Sequence, residues 1–358
     1  MIRPDDAATL AKGVQEMYAE AETLLLQRIA NALAAGSDAP EWVEQKLLNI
    51  HFLQRQMDKI LADLGAGVPG AVEKAIGFAY NRGIATAGAE LTSVGLINGA
   101  FNAVQPTGAV TALVAETMRF IEPAQFQIRR AAMDIYQQVI TQVTAQTTLG
   151  TATRREASRL ALTRFAKQGI TGFRDTAGRR WNMASYAEMA VRSSTASAML
   201  QGHTDRIQEL GVDTVIVSNA PEECAICRPF EGKVLSLSGR TMGRLSDGKT
   251  VYASLAKAKG DGLYHNNCRH SHSIYLPGIT KARTDTADPE GNALRAKQRA
   301  YERRIRELKR ETAIAESYGD AEARVAKGKL RAKQQEFTAW REANDRKNLS
   351  YRTNLTAR

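Results

Sequence analysis

A chain of 358 residues has room for two or three domains and a sizeable core, and its 43% hydrophobic and 24% charged content is that of a globular protein. No run approaches the roughly 18 apolar residues a membrane-spanning helix needs. A formal net charge of +11 implies an anionic partner, most often nucleic acid. The opening MIRPDDAATLAKG lacks the apolar core of a secretory signal, so synthesis and retention in a cytoplasm are expected.

The first ninety residues read as helices. Leu10, Val14, Met17, Ala21, Leu24, Leu25, Ile29 and Leu33 recur at three- and four-residue steps, which predicts a helix over 5–35 stopped at Gly36. A second is expected from about Pro40 to Leu64, with Trp42, Leu47, Ile50, Leu53, Met57 and Ile60 on one face. Gly65 and Gly67-Val-Pro-Gly70 predict a break, and a third helix runs on to Leu91. His51 reads as a packing or surface residue.

From Thr92 to Thr107 the pattern lapses into Gly, Asn, Ser and Pro, as in a domain junction. Helices are then expected over 111–121, 123–148 and 151–168, the last carrying Arg154, Arg155, Arg159 and Arg164. Gly169 to Trp181 reads as a turn between short strands. A helix over 183–210 follows, with Asn182 and Ser185 as N-cap residues and Glu188, Arg192 and His203 along it.

Val212–Ser218 is a strand by its β-branched residues, Lys233–Leu237 a second and Arg269–Leu276 a third, making a small antiparallel sheet. Between them lie all three cysteines. Cys224 and Cys227 form a C-x-x-C that Pro221 would turn, and His265-Asn-Asn-Cys268 supplies a second pair. Two such pairs can close around one tetrahedral ion, for which zinc is the default with mixed sulfur and nitrogen ligands. His270 and His272, two apart on a strand, would share a face, and one of them could replace His265. A disulfide, or cysteines that are merely buried, are the plainer readings of the same residues. A catalytic zinc of the deaminase kind would need H-x-E before P-C-x-x-C. The nearest strings are His203-Thr-Asp205 and Pro221-Glu-Glu-Cys224, which lack the glutamate and displace the proline. Glu222 and Glu223 keep an open, acid-assisted site in view.

The ordered combination C-A-I-C-R-P-F-E-G-K-V, a loop, then H-N-N-C-R-H resembles the minor head proteins of tailed phages, the phage minor capsid protein 2 and Mu F-like head morphogenesis families. The likeness spans about Tyr186 to Leu276. It departs at Asn266, where proline is usual, and at Arg192–Thr195, where RSST stands for an R-T-E run. The resemblance implies a structural, non-enzymatic, low-copy protein of the phage head. It would act at the portal vertex with the portal protein and other head subunits, in head assembly, DNA packaging or ejection. A zinc-dependent enzyme acting on nucleic acid or nucleotides is the alternative.

After Gly278 the composition shifts. Residues 281–358 hold 20 Lys and Arg against 12 Asp and Glu, which is +8 of the whole +11. A thin apolar stripe of Leu294, Ala300 or Tyr301, Ile305, Leu308 and Ile314 suits a helix lying on a partner or pairing with another helix. With few aromatics, any contact with packaged double-stranded DNA would be to the backbone and nonspecific. The fold expected is therefore mainly α with a small α+β module. Its segments are an N-terminal helical array (1–91), a central helical region (92–181), the Cys/His module (182–280) and a basic helical arm (281–358). No toxin or transferase domain is expected after the module.

Overall fold

A computed structural model of the chain describes residues 7, 9–37, 39, 41–97, 108–168, 170, 173–174, 180–220, 222–266, 268–280 and 288–355. It is mainly helical: α1 (Lys12–Ala34), α2 (Trp42–Leu48), α3 (Ile50–Ser93), α4 (Gly108–Thr148), α5 (Arg154–Gln168), α6 (Met183–Glu209), α7 (Leu255–Gly260), α8 (Pro289–Glu316) and α9 (Asp320–Ala343). The strands are β1 (Phe173–Arg174), β2 (Arg180–Trp181), β3 (Thr214–Val217), β4 (Val234–Ser236), β5 (Gly243–Arg244), β6 (Thr250–Ser254) and β7 (His272–Ile274). The turn expected between β1 and β2, most of the 92–107 junction, and Pro221 lie outside the described residues. Two compact units result, one from 1–12, 70–118 and 188–296, the other from 13–69, 119–187 and 297–358.

Two breaks expected from glycine and proline are absent. α3 runs unbroken through Pro69, and α4 through Pro123. Leu64, Val68, Val72 and Ile76 are all buried at four-residue steps, so one apolar stripe continues across the expected break. Burial of that stripe offsets the roughly 3 kcal/mol that an interior proline costs.

In the second unit Tyr18, Leu25, Leu26, Ile29 and Leu33 of α1 are fully buried, with Trp42 beside them donating its indole N–H to the Leu33 carbonyl at 3.1 Å. The basic C-terminal segment contributes to this unit rather than standing free. Ile305, Leu308 and Ile314 of α8 are buried, and Tyr301 stacks on Phe337 and packs beside Trp340 of α9, with ring centroids 5.3 Å away in both cases. The stripe read from the sequence thus finds its partners within the chain. Arg310 of α8 is buried too. Its Nε donates to the Ala166 carbonyl at 2.9 Å, in the last turn of α5, and its guanidinium lies 3.4 Å from Glu22.

In the first unit, β3 is the centre of a five-stranded sheet of order β5-β6-β4-β3-β7. The strand alternation sends Val215 and Val217 to one face, packed with Ala87 and Leu91 of α3 and Ile207 of α6. Ile216 goes to the other face, with Val234, Val251 and Tyr275. The sheet is mixed rather than wholly antiparallel. β6 returns parallel to β4, because the segment between them, expected to be a polar loop, contains the short strand β5.

α3 and α6 approach unusually closely through two glycines. A Cβ on Gly202 would sit 2.2 Å from the Tyr80 carbonyl oxygen, and one on Gly83 would sit 2.0 Å from that of Met199. Both obstacles are backbone, so a side chain must push the helices apart. Gly202→Ala is expected to cost about 1–3 kcal/mol, as overpacking does. Chemical denaturation would check this, and an unchanged midpoint would contradict the close approach.

Candidate metal centre

The two ligand runs meet at one end of the sheet because β3 and β7 are antiparallel neighbours, with Val217 opposite His272. The first run leaves the end of β3 and the second enters β7. Ser218 and Ser271 extend the pairing, Ser218 N–H donating to the Ser271 carbonyl at 2.8 Å. Each run is a tight turn. Arg228 N–H reaches the Cys224 carbonyl at 3.2 Å, and Cys268 N–H reaches that of His265 at 2.9 Å. Each is entered through a residue in the left-handed region, Glu222 at φ 60° and Tyr264 at φ 62°. Such conformations cost of order 1–3 kcal/mol and collect at functional sites. Arg269 holds Glu222 in place, its guanidinium 2.8 Å from the carboxylate, with Arg295 at 3.8 Å.

The four sequence-predicted ligands do not form a single group of four: Cys224, Cys227 and His265 lie together, and Cys268 lies with Cys227 and His270. Cys224 Sγ lies 3.0 Å from His265 Nε2, Cys227 Sγ 3.4 Å from Cys268 Sγ, and Cys268 Sγ 3.5 Å from His270 Nδ1. The donor atoms form two overlapping trios, Cys224–Cys227–His265 and Cys227–Cys268–His270, with Cys227 in both. All three cysteines are free thiols in this structure, with the Cys227 and Cys268 sulfurs 3.4 Å apart. Edges of a zinc–sulfur tetrahedron are about 3.8 Å for bonds of about 2.3 Å. The one sulfur–sulfur separation, 3.4 Å, is shorter than that edge, and the two sulfur–nitrogen separations are 3.0 and 3.5 Å.

Each imidazole turns one nitrogen to sulfur and ties the other to oxygen. His265 Nδ1 is 2.7 Å from the Asn266 carbonyl, and His270 Nε2 is 2.6 Å from Glu231. This is how ligating histidines are oriented in metal sites. Glu231 also accepts the Ala220 N–H at 3.0 Å, which fixes its position. Sequence reading missed Glu231, since nothing in E-G-K-V marks a carboxylate that reaches across to residue 270. His272 departs from the expected shared face. It is buried between Thr204 at 3.1 Å and the Tyr264 hydroxyl at 2.9 Å.

The electrostatics suit a cation. Its hydrogen bond to Cys227 and the adjacent His270 bring the Cys268 thiol down to about 4 against the effect of burial. The pair shares a proton, so Cys227 is pushed up by Cys268 and by burial. Burial opposes ionisation of Cys224, but His265 outweighs it and holds that thiol below its usual range. Burial likewise opposes charge on the two histidines. The sulfur beside His265, and the sulfur and Glu231 beside His270, raise both imidazoles regardless. A metal ion would displace these protons and take their place as the positive charge. The donor set, three sulfurs with imidazole nitrogen, fits zinc.

The other groups weighed from the sequence are engaged elsewhere. Both oxygens of Glu223 are occupied, by Arg228 Nε at 2.8 Å and by the Asp288 N–H at 2.9 Å. His203 is buried against Glu90 at 3.1 Å, and Asp205 accepts the Tyr80 hydroxyl at 2.6 Å, so the deaminase-like string does not join the thiols. His51 is exposed on α3, 3.0 Å from Gln54. Arg192 pairs loosely with Glu188 at 3.6 Å on α6. Asn182 caps α6, its side-chain oxygen accepting the Ser185 N–H at 3.1 Å.

Among the described residues the chain is thus mainly helical, with an α+β module in which a thiol–imidazole cluster brings together two loops of a small sheet. No curated protein and no solved structure matches it. The family model described as phage minor capsid protein 2 matches residues 2–341, and the chain belongs to that family. It is thus a phage minor capsid protein. Among the described residues no helix is long and apolar enough to cross a membrane.

Proposed function

We propose that the chain is a low-copy structural component of a tailed-phage head, stationed at the portal vertex, where it contacts the portal protein and neighbouring head subunits and aids assembly, DNA packaging or ejection. The observation that carries this reading is the family match over residues 2–341, far beyond the Cys/His module alone. In this reading the chain is made in the bacterial cytoplasm, enters the virion in several copies and catalyses no reaction.

The Cys/His cluster serves it as a structural zinc site, with Cys224, Cys227, His265 and Cys268 as ligands and His270, backed by Glu231, as the second imidazole available. Zinc supplies a cross-link between the C-x-x-C turn and the H-x-x-C turn. The Glu223 carboxylate, with both oxygens occupied, favours this over a catalytic centre, which needs an open position and a free acid or base.

Quantitative mass spectrometry of purified virions tests the placement. The expected result is a few copies per particle, far fewer than the major capsid protein, with cross-links to the portal subunit. Absence from mature particles, or stoichiometry equal to the major capsid protein, would contradict it.

A further inference from the structure

One face of α9 is exposed and basic. Taking about 100° per residue, Lys327, Arg331, Gln334, Gln335 and Thr338 all lie within roughly 80° of Arg324 on the helix circumference. All six are exposed. The helix buries only Ala323, at the edge of this face, and Phe337, which packs with Tyr301 and Trp340 further round the helix. Between Glu322 and Glu336 the chain places Arg324, Lys327, Lys329, Arg331 and Lys333 and no acid. Carboxylates appear on this face only at its ends, as Asp320 and Glu342. Among the described residues Lys327 makes an exposed ion pair with Glu316 at 2.8 Å, of the kind worth little in water.

From these observations we infer that Arg324, Lys327 and Arg331 form a docking stripe for the phosphate backbone of double-stranded DNA. The three cations span about 10 Å of helix. Duplex DNA offers about one negative charge per 1.7 Å of axis, so each can meet a phosphate in succession along a groove wall. Gln334, Gln335 and Thr338 continue the row with neutral donors of the kind that hold phosphate oxygens. A protein partner is disfavoured because the stripe has no apolar centre. Val325, the one large exposed apolar side chain of α9, lies about 100° away from Arg324, and interface cores need such anchors. With no aromatic on the stripe, the contact reads no sequence. The inference rests on the reading of the chain as a head component working beside packaged DNA.

The test uses the purified full-length protein and a random-sequence duplex of about three helical turns, with binding followed by fluorescence anisotropy across a salt series. Each neutralised phosphate adds about 0.9 to the slope of log affinity against log salt. Arg324→Gln/Lys327→Gln/Arg331→Gln should therefore make the slope shallower by about 2.7. The charge-matched control Arg303→Gln/Lys329→Gln/Lys347→Gln alters exposed positions off the stripe and should change the slope by less than about 1. Circular dichroism checks that both variants stay helical. A slope unchanged in the stripe variant, an equal loss in the control, or no binding by the unaltered protein would overturn the inference. So would a stripe variant that binds DNA normally but fails to enter heads, since that outcome makes the face a protein contact. Whether the chain is in virions is settled by the particle count, which this assay neither uses nor affects.

Discussion

Cys227→Ser is expected to lower the melting temperature of the unit holding residues 188–296 by about 10 °C or more, while α1, α2 and α5 keep their helicity. Cys227 is fully buried, belongs to both donor trios, and packs into the core under the sheet with Leu235 and Ile274. Its loss removes the shared corner of any tetrahedral site. Zinc contributes about 10–16 kcal/mol in small finger peptides. A unit with its own apolar core loses only part of that, and a loss of about 3–4 kcal/mol gives the stated shift. Serine in an apolar pocket is destabilising by itself, so the decisive arm uses a chelator. A zinc chelator should lower the melting temperature of the unaltered protein by a similar amount and leave the variant where it is. An unaltered protein indifferent to the chelator would show that the thiols hold no metal.

Arg310→Ala is expected to cost about 3–5 kcal/mol, because it strands a buried carboxylate. Glu22 is fully buried, and its Oε1 accepts the Ile170 N–H at 2.7 Å and the Asn182 side-chain amide. Its other oxygen faces Arg310 at 3.4 Å. The same guanidinium satisfies the Ala166 carbonyl in the last turn of α5, where a cation is favoured by the helix dipole. One side chain of the basic segment thus closes a helix end and neutralises a core acid. Replacing both residues at once, as Glu22→Gln/Arg310→Met, should cost less than Arg310→Ala alone, since no unpaired charge remains. Urea unfolding of the three proteins measures this. A double variant less stable than Arg310→Ala would contradict the account.

The parts of this protein that could be read from the sequence are those whose signal is local. V-D-T-V-I-V-S announces β3 by its β-branched residues, and the two x-x pairs announce the cysteine and histidine loops. What escaped reading depends on contacts made through space. Gly65 to Gly70 looks like a break, yet Val68 and Val72 are buried and keep α3 whole. Glu231 reaches His270 from 39 positions away, and Glu22 meets Arg310 across 288. Thr250–Ser254 hides in a stretch rich in Gly, Ser and Lys, because its alternation of exposed Tyr252 with buried Val251 and Ala253 is only five residues long. The charged tail read as a basic helical arm because Arg306, Arg310 and Arg352, which are buried, look in sequence like any solvated cation.

The most direct test of the account is zinc content and zinc-edge X-ray absorption of the full-length protein, purified without chelator. The expected result is one zinc per chain in a four-coordinate shell dominated by sulfur, at about 2.3 Å. A protein without stoichiometric metal, with all three thiols free to react, would contradict it.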